Sequence, residues 1–373
     1  MPKKITYIIS RVDKALEFEW VIQYLDTEKY TLSFVLLNPE KNLHLAKLVS
    51  TKGLELKEVQ YRGQKDFISA LWQVFRFLVR HKPELVNCHL PEGTLIGLLA
   101  AKLAGIKKRI YTRHHSTLNH DFHPHAIKYD KWSNQLATHI IAVSDTVKKV
   151  LVDMEGVPSS KITVIHHGLD LDQFRNVSIE RTEAIRAKYV IPKTHPIIGV
   201  IARYTKWKGI QYIIPAFKQL LETYPDAHLV LANARKGDFI EEIDGLLNEL
   251  PRESYTEIAF EPDLYALYPL FDLFVHTPID ERSEAFGQIY IEALMAGIPS
   301  VFTLSGIANE LIQDGRNGLV VPYQDSKSIF EGLLKLLEDE QLCELFRKNG
   351  KIDVMAKFTI ARKIDALEEL YSK

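Results

Sequence analysis

The chain has 373 residues, more than one hydrophobic core usually organises, so two domains are expected. An apolar share of 46% and a charged share of 25% are those of a globular protein, and two cysteines, Cys88 and Cys343, exclude a disulfide framework or a cysteine metal cluster. The net charge of −1 hides an asymmetry: residues 1–192 carry 28 Lys and Arg against 20 Asp and Glu, and residues 193–373 carry 19 against 28. Solvated faces of opposite sign would produce it. So would a first half that meets something anionic, a phospholipid surface or a phosphorylated acceptor.

In chain order, the start "MPKKITYIISRVDK" holds only a short apolar run before Arg11 and Asp13, which reads as a first strand and not a secretion signal. No apolar stretch approaches the ~20 residues that cross a bilayer, and two cysteines suit a reducing cytoplasm. "KITYIIS", "YTLSFVLLN", "ELVNCHL", "RIYTRH", "HIIAVS" and "KITVIHHG" are predicted strands, rich in Ile, Val, Tyr and Thr. Between them "LEFEWVIQYLD", "DFISALWQVFRFLVRH" and "GTLIGLLAAKLAG" have helical spacing. That alternation predicts an α/β fold with a parallel sheet covered on both faces.

After "VIPKTHP", where two prolines lie close together, the pattern restarts with "IIGVIAR", "AHLVLANA", "TEIAF", "DLFVHTP" and "IPSVFT" as strands. The reading is therefore a first domain over 1–192 and a second over 193–358, with residues 359–373 as a helix returning to the first. Two doubly wound, Rossmann-like domains bind ligands at the carboxyl ends of their strands, facing a central cleft.

Chemistry is sought in the loops that follow strands. "GVIARYTKWKG" puts Arg203 and Lys208 between a strand end and a helix start, where cations, backbone N–H groups and helix dipole all favour a diphosphate. "DLFVHTP", "IDERSEAFG" and "QIYIEALMAG" form a strand, a loop and a helix closed by Gly297 and Pro299. Glu292 lies among Ile289, Ile291, Ala293, Leu294 and Met295, where a carboxylate is costly unless it is hydrogen-bonded. If both were helical, Glu284 and Glu292 would stand ~12 Å apart; Gly287 permits a bend that brings them closer. A lone pair at this spacing is equally what a helix-dipole partner and a solvated glutamate would give.

The motifs together resemble glycosyltransferase family 4, the retaining enzymes of GT-B fold. Glu284, Phe286, Gly287, Glu292, Ala293, Ala296, Gly297 and Pro299 match its acidic motif, Arg203, Lys208 and Gly209 its basic loop, and His167, Gly168, Leu169, Asp170 and Phe174 a third element. "YTRHHS" is similar to a fourth, whose histidine falls on His114. The resemblance implies a nucleotide-sugar donor, UDP- or GDP-linked, bound by Arg203, Lys208, Glu284, Phe286, Gly287, Gln288 and Glu292. Glu292 would take the ribose hydroxyls, Glu284 the hydroxyls of the transferred sugar, and Arg203 and Lys208 the diphosphate. Glu284, His114, Arg203 and Lys208 would be catalytic, with no metal and no cofactor. The product would be a hexosyl or N-acetylhexosaminyl unit moved to a saccharide or lipid-linked acceptor in polysaccharide or glycolipid assembly. A cytoplasmic enzyme, peripheral at the inner membrane face, is implied, with no nucleic-acid partner.

Two segments depart from the pattern. The first loop, Ser10–Trp20, has no glycine, so Arg11 or Lys14 would have to stand in for a backbone approach to phosphate, and Asn233 to Lys236 lack a glycine pair beside the base pocket. "DLD" at Asp170–Asp172 resembles a metal-binding motif but sits inside another element and reads as structural. "RHHSTLNHDFHPH" is interrupted by Pro124, lacks ligand spacing and reads as an acceptor-facing loop. The helix around Trp72, with Arg76, Arg80 and Lys82, is either docked on the sheet or held at an anionic membrane surface. The rival functions are a nucleotide-sugar 2-epimerase of the same fold and a degenerate sugar-nucleotide-binding homologue. A nicotinamide-binding protein would need a G-x-G-x-x-G that the first strand lacks.

Overall fold

The computed structural model describes residues 1–373. The first sheet is built from β1 (Lys3–Ser10), β2 (Tyr30–Asn38), β3 (Glu55–Gln60), β4 (Leu85–His89), β5 (Lys108–Arg113), β6 (His139–Ala142) and β7 (Ile162–Val164), in the order β3-β2-β1-β4-β5-β6-β7. The second comprises β8 (Ile197–Ile201), β9 (His228–Ala232), β10 (Tyr255–Ile258), β11 (Leu273–His276), β12 (Ser300–Phe302) and β13 (Leu319–Val320), in the order β10-β9-β8-β11-β12-β13. Every pairing is parallel. These are the two doubly wound sheets expected. In each, the strand order reverses once, between β1 and β4 and between β8 and β11, and the crevice beyond the strand ends at such a reversal is where ligands bind.

The central strands are buried along their whole length, as "IIGVI" in β8 and "HLVLA" in β9, because helices cover both faces. β3 escaped the sequence reading for the opposite reason. Its "ELKEVQ" buries only Val59, since an edge strand can carry charges that discourage further pairing.

The domain boundary needs correction. The sequence places it at residues 192 and 193, but the chain divides into Met1–Gly168 with Ile360–Lys373 and Leu169–Thr359. The proline-rich segment only feeds β8. The helix Ile179–Tyr189 before it is fastened to the second unit by Arg181 on Asp263 at 2.8 Å and Lys188 on Glu261 at 2.7 Å. The outgoing and returning chains lie side by side in that unit, where the Leu169 N–H donates to the Phe358 carbonyl at 2.9 Å. The last helix, Ile360–Ser372, then joins the core of the first unit through Ile364, Leu367, Leu370 and Tyr371.

Candidate active site

Two loops leave the reversal point of the second sheet. After β8 the chain runs through Arg203 and Lys208 to Gly209, whose φ of 75° is left-handed and where a Cβ would stand 1.8 Å from the Thr277 carbonyl oxygen. Only glycine lets this loop lie against the segment that follows β11. That segment carries Glu284 and reaches Gly287, again left-handed at 82°, which opens the helix Gln288–Ala296. Tertiary contact between the loops thus brings residues some 80 positions apart in the chain together, and Lys208 closes an ion pair with Glu284.

The result is an open hollow of ≈ 450 Å³, whose walls include Arg203, Lys208, Glu284, Gly287, Gln288 and Glu292. Asn233, Lys236, Phe260 and Leu264 complete it; Asn233 has a φ of 57° and a buried Oδ1 without a hydrogen-bond partner. Of the residues that the sequence reading assigns to donor binding, Phe286 alone lies behind this wall. It is 5% exposed and meets Phe358 edge-on at 6.1 Å.

Glu284 is held from one side only. Lys208 Nζ and His276 Nε2, the latter at 3.1 Å, both bond Oε1, and Oε2 is left to accept from something else. Burial pushes the Glu284 carboxyl up, but the Lys208 ammonium and then His276 outweigh it and hold it at about 2. His276 is itself lowered by burial, against the hydrogen bond to Glu284, so at neutral pH it is an uncharged ring donating its Nε2–H. Its ring packs edge-on against Tyr290 at 4.8 Å. Sequence reasoning missed His276; the only signal was a histidine at a strand end, two residues before Pro278.

Glu292 has found its partners. The Tyr268 hydroxyl donates to Oε2 at 2.9 Å and Gln288 Nε2 donates to Oε1 at 2.6 Å. Burial raises its carboxyl above the ordinary range, although both hydrogen bonds act to lower it. Two neighbouring carboxylates therefore have opposite environments: Glu284 is fixed as an anion, while Glu292 is a carboxylate held at a cost. Arg203 is exposed, lies 6.0 Å from the Trp207 ring and has no carboxylate partner, so its charge faces outward uncompensated.

His114 belongs to the first unit. Its Nε2 lies 3.0 Å from His89 Nδ1, and its ring stacks on His167 at 5.6 Å. His167 Nδ1 stands 3.4 Å from Glu17, whose other oxygen takes the Lys363 ammonium at 2.7 Å. Burial holds the His114 ring down at about 4, so it is neutral at physiological pH. Glu17, His114 and His167 each bring a ligand-type atom within 4.8 Å of the others. The Lys363 ammonium already sits on that carboxylate, so the chain supplies the cation itself.

The remaining histidines of this segment are tied down separately, His115 to Asp130 and His120 to Glu155, both at 3.3 Å. Asp170 accepts from the Asp172 N–H and so caps a turn. In the first loop, Arg11 is spent on Glu92 at 2.6 Å, and Lys14 is exposed.

A model of the family described as glycosyl transferases group 1 matches residues 181–353, and one described as glycosyltransferase family 4 matches residues 22–173. The chain belongs to the family 4 glycosyltransferases. The capsular polysaccharide biosynthesis glycosyltransferase CapM of Staphylococcus aureus is 27% identical over 345 residues, 87% of this chain and 89% of CapM. The UDP-Gal:alpha-D-GlcNAc-diphosphoundecaprenol alpha-1,3-galactosyltransferase of Escherichia coli is 21% identical over 82% of this chain and 79% of its own. The crystal structure of Anabaena HepE with UDP and glucose superposes with a TM-score of 0.83 at 18% identity, covering 100% of both chains. The two doubly wound units of this glycosyltransferase are those of the GT-B fold. Its matched segments include both loops that form the hollow, so the four charged side chains there lie within the family's own region.

Proposed function

We propose that this glycosyltransferase binds a nucleoside-diphosphate sugar in the hollow of its second unit. It would pass a hexosyl or N-acetylhexosaminyl unit, with retained configuration, to a saccharide or lipid-linked acceptor in polysaccharide or glycolipid assembly. The observation that carries this reading is the state of Glu284: an obligate anion whose Oε1 is pinned by Lys208 and His276 and whose Oε2 is turned loose. A carboxylate held this way accepts a sugar hydroxyl without having to reorganise.

Arg203 and Lys208 face the diphosphate in this reading. As the glycosidic bond breaks, the sugar becomes oxocarbenium-like and negative charge grows on the leaving diphosphate; fixed cations there lower the barrier. Lys208 has three N–H donors and gives one to Glu284, leaving two for phosphate oxygens. The pair fills the place that a divalent cation would otherwise take. Glu292, with Gln288 and Tyr268 behind it, receives the ribose hydroxyls. In this reading Glu284 Oε2 is spent on a hydroxyl of the transferred sugar and does not attack its anomeric carbon, and the family resemblance favours a front-face transfer in which the leaving phosphate deprotonates the acceptor. HepE, whose structure holds UDP and glucose, and CapM, named for capsular polysaccharide, support the donor and the product class.

A thermal-shift panel of UDP-, GDP- and ADP-sugars tests the donor. The matching sugar nucleotide at a hundredfold over its Kd should stabilise the protein by about 2.7 kcal/mol. If no sugar nucleotide shifts the melting temperature, the assignment fails. His276→Phe separates sugar from nucleotide. The ring keeps its contact with Tyr290 but cannot donate to Glu284, so turnover should fall roughly tenfold, the worth of one charged hydrogen bond. Binding of the bare nucleoside diphosphate should be unchanged, and a matched loss of both would remove the sugar-side role of His276.

A further inference from the structure

The last helix, Ile360–Ser372, carries a charge into the first unit. Lys363 is 8% exposed and is the one buried lysine of the chain. Docking of the helix does not require it. Ile364, Leu367 and Leu370 bury the apolar face, and the Tyr371 hydroxyl bonds that of Tyr7 at 2.6 Å and accepts from Asn87 at 2.8 Å. Lys3 and Lys108 close the helix end, donating to the Tyr371 and Leu370 carbonyls at 2.7 and 2.5 Å. An apolar side chain at 363 would hold the helix as well, and a lysine is buried only where something pairs it. Here the partner is Glu17, whose Oε1 takes the ammonium at 2.7 Å.

Glu17 leads on to a set of histidines. It sits on the helix Leu16–Tyr24, and its Oε2 lies 3.4 Å from His167 Nδ1. His167 stacks on His114, and His114 Nε2 meets His89 Nδ1 at 3.0 Å. The three rings stand at or just past the carboxyl ends of β4, β5 and β7, the edge at which a parallel sheet receives ligands. Burial holds His89 well below its ordinary range and His114 down at about 4, against the pull of the Glu17 carboxylate.

An anion beside imidazoles draws protons onto them unless another cation answers it. Tyr7 and Tyr371 supply none, since burial raises both phenols, and His115 is taken by Asp130 at 3.3 Å. Burial pushes the Glu17 carboxyl up, yet Lys363 and then His167 outweigh it and hold it well below the carboxylate range. Lys363 is the permanent cation among these groups. We propose that Lys363 is a positioning residue, the built-in cation that lets Glu17 hold His167 and His114 in place without protonating them. Its effect on the histidines stands on the geometry of the first unit. Its effect on turnover rests also on the proposed glycosyl transfer and on the role that the resemblance gives His114.

Ring NMR of the full chain tests it, with His114→Gln to assign the resonance. Lys363→Met keeps the length of the side chain and loses the charge, so His114 should titrate roughly one unit or more above its wild-type midpoint. Lys363→Arg should leave the midpoint in place. Lys363→Met with Glu17→Gln removes the anion too and should bring it back. Lys363→Gln, which can still donate to Glu17, is the substitute if melting curves show the methionine variant unfolded. In transfer assays the acid limb of kcat should move up with the ring, whereas a side chain that only braced the helix would lower turnover equally at every pH. An unmoved His114 in Lys363→Met, or an equal shift in Lys363→Arg, would overturn the proposal. A moved ring with an unmoved acid limb would confine Lys363 to structure and overturn its place in transfer. Absence of turnover with every sugar nucleotide would fall on the donor reading alone, because the ring shift is read without a donor.

Discussion

Lys208→Met is expected to lower the transfer rate by roughly 10²–10³ and, separately, to destabilise the fold by about 3 kcal/mol. Both effects originate at one atom. The Lys208 and Glu284 side chains are only 14% and 8% exposed, so removing the ammonium leaves a buried carboxylate with a neutral histidine as its nearest help. Restoring neutrality restores stability: Lys208→Met with Glu284→Gln should regain most of the unfolding free energy in urea. It should not regain turnover, because neither the proposed phosphate cation nor the proposed sugar-facing anion returns. A double variant that recovered activity would reduce the pair to a structural brace. A single variant that kept full stability would mean that Glu284 is not held in a dry environment.

Glu292→Gln should move stability and donor binding in opposite directions. The folded carboxyl lies above its ordinary value of 4.5, so its contribution to stability is full below that value and is lost as pH rises through the folded one. At neutral pH the free protein thus bears the cost of a buried anion. An amide avoids that cost and can still satisfy its neighbours: its carbonyl accepts from Gln288, and its NH₂ donates to the Tyr268 oxygen, whose hydroxyl rotates. The variant should therefore melt higher than the wild type at pH 7, and the two should converge at acid pH. In the proposed donor pose the same change removes one of two acceptors for ribose hydroxyls and should weaken sugar-nucleotide binding by roughly 10–100-fold. Melting curves across pH, with and without donor, read both. A lower melting point at neutral pH together with an intact donor shift would contradict the account of Glu292.

How much of this was legible in the chain differs from residue to residue. The alternation of "IIGVI" and "HLVLA" with helical runs declared a parallel sheet, because strand and helix periods follow from backbone geometry and a strand covered on both faces must be apolar throughout. Glu292 drew notice because a carboxylate inside an apolar helix is costly unless something uses it; Arg203, Lys208 and Glu284 gained weight only from the motifs they share with the family. Such patterns are local, and a sequence carries local patterns openly.

Partners are another matter. Tyr268 as the group that steadies Glu292, His276 as the second hand on Glu284, and Lys363 on Glu17 from 346 positions away depend on where whole elements pack. Chain separation says nothing of that. The prolines near residue 195 looked like a hinge, yet the units part at Gly168 because ion pairs to Asp263 and Glu261 claim the intervening helix for the second unit. The sequence by itself determined the element types and the loops in which chemistry was to be sought, since these follow from periodicity, and the four charged residues stood out there only once the motifs were matched to a family pattern. Only the tertiary structure decided which oxygen of Glu284 is free, which carboxylate is strained by burial and where the chain crosses between units, because these are set by contacts between segments that the linear order keeps apart.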